Sequence, residues 1–359
     1  MLCMHNNRKN TIVLINQGKI FLKNCSIFIV SKSNLMDQKP SFIKNLSLPI
    51  VAAPMFLISG PQLVIECCKN GVVGTFPALN QRTSEGFEAW LIEIKTSLAD
   101  FEKETGKKAA PFGVNLIVHP TNPRLEADVK LCVKHKVPLI ITSLGAVSQV
   151  VDAIHSYGGI VFHDIIKKRH AEKAAEAGVD GLILVSAGAG GHAGTINPMT
   201  LVAEIKKFFH KTILLSGCIS TGRDVASALQ MGADLAYMGT RFINTTESKA
   251  TDEYRKMIID AGASDVVYTA SISGVHANFL GASLKAAGIT EEDLKKDVKI
   301  DFGKELDTEA KAWKTIWSAG QGVAMIDDIE PVADLVSKLK TEFKSAIEEQ
   351  IKVLEVYPK

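Results

Sequence analysis

The sequence predicts an α/β protein: a TIM (β/α)8 barrel with additional C-terminal helices covering the barrel. From residue 48 onward, eight short apolar runs rich in β-branched residues alternate with amphipathic segments. Most of these runs are continuously apolar, which is typical of parallel strands buried on both faces. Eight such units favour a closed barrel over a doubly wound sheet, because that sheet typically has about five or six strands.

The predicted strands follow one another along the chain, and a predicted helix separates each from the next. The strand ranges are 48–54, 71–75, 111–118, 137–143, 159–164, 181–187, 212–217 and 235–240. The helix ranges are 61–70, 84–104, 124–136, 147–157, 168–178, 197–209 and 222–232. Several helices end at glycine, a common helix stop. Residues 247–345 are predicted to be mostly helical with a loop-rich centre at 271–281, to complete the barrel and to cover its mouth.

The composition is that of a globular protein and excludes several classes of function. The 359 residues contain 41 Lys and Arg against 39 Asp and Glu, a net charge of +2. A surface that binds nucleic acid would carry a large basic excess. No stretch approaches the roughly 18 apolar residues of a membrane-spanning helix. We therefore expect neither a nucleic-acid partner nor a membrane.

The cysteines indicate reduced thiols rather than a disulfide framework or a zinc site. None of the six forms a CxxC pair, and a chain of this size rarely depends on disulfides. We therefore predict that the protein binds no metal and is cytoplasmic. The six are Cys3, Cys25, Cys67, Cys68, Cys132 and Cys218.

Residues 1–35 differ from the rest of the sequence. They contain two short apolar pieces separated by polar and charged residues, and neither piece has the length of a signal-peptide core. A second methionine, Met36, leads directly into the first predicted strand. We interpret 1–35 as an N-terminal extension, either disordered or translated from a misplaced start codon. An extra strand or hairpin packed on the domain is the alternative. Residues 36–345 are predicted to form a single domain.

Two glycine-containing loops, Ser216-Gly217-Cys218 and Gly239-Thr240, follow the last two predicted strands. Barrel enzymes often bind phosphate with the loops after these strands. Glycine lets the backbone approach the anion, and the N–H groups bind it. One such loop alone would indicate a tight turn. The two together favour a ligand that carries a phosphate.

Residues 187–194, AGAGGHAG, follow the sixth predicted strand and contain Gly190, Gly191 and His192. The glycines let the chain lie close to a planar ligand, and the loop presents His192 over the barrel mouth. A histidine there is a candidate general base because its pKa lies near neutrality. The glycine spacing differs from the GxGxxG dinucleotide fingerprint. His163 ends the fifth strand and is a second candidate, with a purely structural role as the equal alternative.

Several segments, in order along the chain, together resemble the nitronate monooxygenase family. The resemblance covers roughly residues 45–330 and includes the strand end at His163. It implies an FMN-dependent TIM barrel that binds FMN non-covalently and needs no metal. The segments are LPIVAAPM (48–55), PFGVN (111–115), AGVDGLILVSAGAGGHAG (177–194), LLSGCISTGRDVASALQMGADLAYMGTRF (214–242) and WSAGQG (317–322).

The resemblance also implies roles for individual residues. His192 matches the catalytic histidine of the family, and His163 matches a histidine found in some members. Cys218 departs from the pattern, since relatives commonly have Gly or Ala there, but a thiol is small enough that we expect FMN binding to survive. The residues expected to contact FMN are Ala53, Pro54, Met55, Asn115, Gly190, Gly191, Ser216, Gly217, Cys218, Gly239, Thr240 and Gln321.

The reaction implied by the resemblance is oxidation of an alkyl nitronate, such as propionate-3-nitronate, by O₂ to a carbonyl compound and nitrite. His192 would accept a proton from a nitroalkane or hydrogen-bond the nitronate. The alternative on the same scaffold is an FMN-dependent NAD(P)H reductase of the enoyl-acyl-carrier-protein or quinone type. A barrel that only binds FMN or a phosphorylated metabolite, and an IMP dehydrogenase type using Cys218, are less favoured. The oligomeric state is left open.

Overall fold

The chain divides into two compact units, Met1–Lys39 and Pro40–Lys359. The first contains an antiparallel hairpin of β1 (Ile12–Asn16) and β2 (Lys19–Lys23). Its packing on the domain stays a prediction, and the remainder of 1–35 lies outside the described residues. The computed structural model describes residues 12–16, 19–23, 39–145, 148–272, 274–296 and 315–357.

The second unit contains a closed barrel of eight parallel strands. The barrel order is β3-β4-β5-β6-β7-β8-β10-β11, and β11 pairs with β3 to close it. The predicted barrel is confirmed, and each predicted strand overlaps one of the eight. The strands after the hairpin are β3 (Ile50–Ala52), β4 (Val73–Pro77), β5 (Gly113–Ile117), β6 (Leu139–Ser143), β7 (Ile160–Ile165), β8 (Gly181–Val185), β9 (Gly191–His192), β10 (Thr212–Ser216), β11 (Leu235–Met238), β12 (Val266–Thr269) and β13 (Ala277–Leu280).

Helices surround the barrel, and their ends carry the expected signals. The side chain of Thr221 caps the helix that follows β10, in a reciprocal capping box with Asp224. That helix ends at Gly232, which has the left-handed conformation that glycine adopts without strain. The helices are α1 (Pro61–Lys69), α2 (Ser84–Thr105), α3 (Leu125–His135), α4 (Ser148–His155), α5 (Lys168–Glu176), α6 (Pro198–Ile205), α7 (Gly222–Met231), α8 (Thr240–Ile243), α9 (Asp252–Asp260), α10 (Gly281–Ala286) and α11 (Val332–Val356).

The barrel interior is filled by inward-facing apolar side chains. They include Val51, Val73, Leu139, Ile141, Phe162, Ile183, Leu214 and Leu235. The alternate residues of the same strands pack outward on the helices, so both faces of the sheet are buried. This double burial is why the strands appear in the sequence as continuous apolar runs.

The C-terminal helix α11 is fastened to α7. The backbone N–H of Gly222 donates to Glu342 Oε2 at 2.7 Å. A Cβ at Gly222 would lie 2.0 Å from the carbonyl oxygen of Leu339, so only glycine allows this approach. The helix α11 continues past residue 345, where the sequence-based prediction ended the domain.

The cover of the barrel is less helical than predicted. Within 247–345, β12 and β13 form an antiparallel sheet, and β9 joins it from the loop after β8. These strands have two to four residues each, which is too short for a strand pattern to be recognised in the sequence. Among the described residues, no helix has the length and apolarity to cross a membrane. The cysteines of the same part of the chain, Cys67, Cys68, Cys132 and Cys218, are free.

The contact between β4 and α1 leaves no room for a side chain at Gly74, where a Cβ would lie 2.5 Å from Val64 O. We expect Gly74→Ala to lower the free energy of unfolding by about 1–3 kcal/mol, because the strand or the helix must shift. Urea denaturation measures this loss. Gly262→Ala is the matched control, since its nearest atom lies at 3.4 Å and its φ is −94°. Equal midpoints for the two variants would contradict the assigned packing.

Candidate active site

A cavity of about 880 Å³ opens at the C-terminal ends of the barrel strands. Every barrel strand contributes a lining residue from its end or from the position just after it. In barrel enzymes this is the face that carries function. The contributing residues are Ala53, Pro77, Ile117, Ser143, Ile166, Val185, Ser216 and Gly239.

Most of the residues singled out from the sequence come together around this cavity. Gly217, Cys218 and Gln321 lie beside it rather than in its lining. The predicted contacts of these three residues and of the lining residues with FMN, and the predicted catalytic roles, stay predictions. The predicted residues that line the cavity are Ala53, Pro54, Met55, Asn115, His163, Gly190, Gly191, His192, Ser216, Gly239 and Thr240.

The loops after β10 and β11 offer free backbone donors. Within the described ranges, the N–H groups of Gly217, Cys218, Gly239 and Thr240 donate no hydrogen bond. Gly217 has a φ of +127° and Cys218 a φ of +55°, a conformation that costs energy for a residue with a side chain. Free N–H groups in loops of this kind bind anions.

The Cys218 thiol is not set up as a nucleophile. Its Sγ lies 3.8 Å from Ala187 O and 3.9 Å from Gln321 Oε1. Partial burial, with a smaller contribution from Asp224, raises the pKa of the Cys218 thiol. A thiol with a raised pKa is protonated at neutral pH, and the thiolate is the reactive form. This argues against the Cys218-dependent reaction weighed from the sequence.

Three glycines let the segment 319–322 cross the His192 loop at backbone distance. A Cβ at Gly320 would lie 2.6 Å from Gly188 O and 2.8 Å from Gly190 N. The N–H of Gln321 donates to Gly188 O at 2.9 Å, and that of Gly320 donates to Thr240 Oγ1 at 2.9 Å. The segment therefore joins the His192 loop to the loop after β11, which explains why Gln321 lies beside the cavity.

The His192 ring lies at the cavity with one nitrogen unused. Its Nε2 is buried and has no hydrogen-bond partner among the residues that the structure describes. Burial lowers the pKa of His192 to about 4. The imidazole is therefore neutral at pH 7, and Nε2 is free to bind a ligand or to exchange a proton with one.

Strand β7 places two titratable residues on opposite faces. Phe162 belongs to the barrel interior, so alternation puts Asp164 on the inward face and His163 on the outward face. His163 Nδ1 lies 2.8 Å from Thr142 Oγ1, and burial lowers the pKa of His163 to about 4. His163 therefore lines the cavity from the outward face of β7.

Asp164 is a site residue that the sequence analysis missed. Its Oδ2 accepts a hydrogen bond from Ser143 Oγ at 2.5 Å, and Asn115 Nδ2 donates to the same Ser143 oxygen at 2.7 Å. Burial raises the pKa of Asp164 to about 6. The period-two alternation from Phe162 is the signal that would have identified it.

The cover adds aromatic walls that the sequence analysis also missed. Tyr254 and Trp317 stack with ring centroids 4.9 Å apart and planes 9° from parallel. Tyr268 stacks on His276 at 5.1 Å. All four line the cavity, so His276 belongs to its wall. No group of three or more His, Cys, Asp or Glu side chains is placed to hold a metal ion within the residues described.

Comparison with known proteins identifies what the chain is similar to. The family model described as nitronate monooxygenase matches residues 39–342. A nitronate monooxygenase of Paraburkholderia phytofirmans is 25% identical over 355 residues, covering 84% of this chain and 93% of the relative.

Two solved structures share the fold. A nitroalkane oxidase from Streptomyces ansochromogenes superposes with a TM-score of 0.72 at 23% identity, covering 87% of this chain and 100% of the other. FabK from Thermotoga maritima has a TM-score of 0.69 at 24% identity, covering 87% and 97%. Both likenesses establish the barrel architecture.

The raised pKa of Asp164 predicts a pH-dependent stability. The folded state binds this proton more tightly than the unfolded state does, so protonation of Asp164 contributes to the free energy of unfolding. The contribution is complete below the unfolded pKa of about 4 and is lost as the pH rises through about 6. The Asp164→Asn variant has no carboxyl to ionise, so it does not lose this stability as the pH rises. The difference between its free energy of unfolding and that of wild type should therefore increase between pH 4 and pH 7, by on the order of 1–3 kcal/mol.

Urea denaturation across that pH range measures the effect. Asp152→Asn, at an exposed position on α4, is the control and should keep a constant difference from wild type. A constant difference for Asp164→Asn as well would contradict the buried environment of this carboxyl.

Proposed function

This chain belongs to the nitronate monooxygenase family, and we propose that it oxidises alkyl nitronates, such as propionate-3-nitronate, by O₂ to a carbonyl compound and nitrite. Family membership makes it an oxidoreductase and implies a flavin cofactor, which we propose is FMN. The observation that carries the proposal is the neutral His192 ring, which lines the cavity at the barrel mouth and whose buried Nε2 has no partner among the described residues.

The described residues fit FMN. The free N–H groups of Gly217, Cys218, Gly239 and Thr240 are a set of donors suited to its phosphate, at the position where barrels often bind one. The segment 53–55 and Asn115 would hold the flavin ring, and Gly190, Gly191, Ser216 and Gln321 complete the proposed contacts. Bound FMN would supply the electron transfer of the reaction.

The charge of the cavity suits an anionic substrate. Its lining contains Lys173 and Lys249 against one carboxyl, that of Asp164. Lys249 Nζ lies 4.1 Å from the centroid of the Trp90 ring. An excess of positive charge in a cleft raises the local concentration of anions. A nitronate, which is the deprotonated form of a nitroalkane, is such an anion.

The chain's own residues would supply proton transfer and orientation. His192 Nε2 would accept a proton from the carbon next to the nitro group of a nitroalkane, or donate a hydrogen bond to a nitronate oxygen once protonated. The barrel and its aromatic cover exclude water from this nitrogen. His163 stays a second candidate; its Nδ1 is engaged by Thr142, which favours a supporting role.

An NAD(P)H-dependent reductase of the enoyl-acyl-carrier-protein or quinone type is the second candidate function. The stacked pairs Tyr254–Trp317 and Tyr268–His276 favour it, because flat aromatic walls suit a nicotinamide or quinone ring.

The absorption spectrum and an anaerobic titration distinguish the two candidates. We expect the purified protein to show the spectrum of an oxidised flavin, released as FMN on denaturation. Propionate-3-nitronate should bleach the flavin without air, and NADPH should not. Rapid bleaching by NADPH would favour the reductase. A colourless protein that takes up no FMN would overturn both.

His192→Asn should retain FMN and lower the rate of nitronate turnover by about 10- to 100-fold, the effect of losing one hydrogen bond to a charged group. A nitronate has already lost the proton that a base would remove. FMN content by absorbance and nitrite release measure the two properties. His155→Asn is the matched control, since His155 pairs with Asp180 at 2.8 Å and does not line the cavity. Unchanged turnover in His192→Asn would exclude this residue from the reaction.

A further inference from the structure

His192 is placed by a sheet outside the barrel. It lies in β9, which pairs antiparallel with β13 so that His192 is opposite Ala277 and Gly191 is opposite Asn278. β13 in turn pairs along its length with β12. The backbone of the proposed base is therefore aligned by the cover, far along the chain from β8.

Two side chains of the cover hold the backbone on either side of His192. Asn278 is buried, and its Nδ2 donates to Ala189 O at 2.7 Å. The hydroxyl of Tyr268 donates to Ala193 O at 2.9 Å. These bonds reach across 89 and 75 residues of sequence. Their acceptors, Ala189 and Ala193, lie three residues before His192 and one residue after it.

The loop needs such anchors. Gly188 and Gly191 have φ of +79° and +68°, so the loop is built from residues with wide backbone freedom. The Nε2 of His192 has no partner in the described part of the chain, so that nitrogen does not fix the ring. The position of the ring therefore depends on how firmly the backbone is held.

We propose that Tyr268 and Asn278 are positioning residues that hold the His192 loop through the carbonyl oxygens of Ala193 and Ala189. This rests on the proposed role of His192 in nitronate oxidation. The cover thereby does more than close the cavity, because it sets the location of the group that would bind the substrate.

Tyr268→Phe tests the proposal with little disturbance, since the ring and its stacking on His276 remain. We expect kcat for propionate-3-nitronate to fall about 3- to 10-fold, the effect of one hydrogen bond. KM and the FMN content should be unchanged. In a His192→Asn background the same substitution should cause no further fall. An equal fall in that background, a change confined to KM, or an unchanged kcat would overturn the proposal.

Tyr157→Phe is the matched control, because Tyr157 also donates from its hydroxyl to a backbone oxygen, that of Val137, at 2.8 Å. It should leave kcat unchanged. A comparable fall in kcat in this variant would mean that loss of any such bond acts through general stability, and would count against the proposal.

A measurement independent of turnover separates this proposal from the proposed function. The NMR titration of the His192 ring, identified by the signal missing in His192→Asn, should move from a pKa of about 4 in wild type toward the ordinary value in Tyr268→Phe and Asn278→Ala. An unmoved titration in both variants would refute positioning. If the His192 titration shifts in the variants but the wild-type protein does not turn over nitronate, the proposed function is refuted and the positioning role stands.

Discussion

The site depends on a crossing of two backbone segments that no side chain would permit. Gly320 passes Gly188 and Gly190 so closely that a Cβ at Gly320 would lie within 2.8 Å of atoms of both. Real Cβ atoms do not approach other atoms at such distances. The crossing brings the loop of His192, the loop after β11 and the segment 319–322 into one scaffold. The donors suited to a phosphate and the proposed base therefore share a single support.

Burial shifts the pKa values of the titratable groups at the barrel mouth, down for the histidines and up for the carboxyl. It lowers the pKa of His192 and His163 to about 4 and raises the pKa of Asp164 to about 6. Both shifts favour the uncharged form, because transfer from water to a less polar environment penalises charge. At pH 7 the imidazoles are neutral and Asp164 is largely ionised. Lys173 and Lys249 still leave the cavity lining with an excess of positive charge.

The sequence was sufficient for the barrel and for the part of the site that local patterns encode. Strands buried on both faces leave continuous apolar runs, as in β8 and β10, and the glycine loop around His192 is itself a local signal. Asp164 was missed because the end of β7 was considered without the face each residue occupies. Tyr268 and Asn278 could not be found, since their partners lie 75 and 89 residues away and only the folded chain brings them together.

The bond between Gly222 and Glu342 joins residues 120 positions apart. Helix α7, which begins at Gly222, directly follows the loop that carries Gly217 and Cys218. During synthesis this loop emerges from the ribosome long before α11, so its final support arrives last. The contact between α7 and α11 can therefore form only after nearly the whole chain has been synthesised.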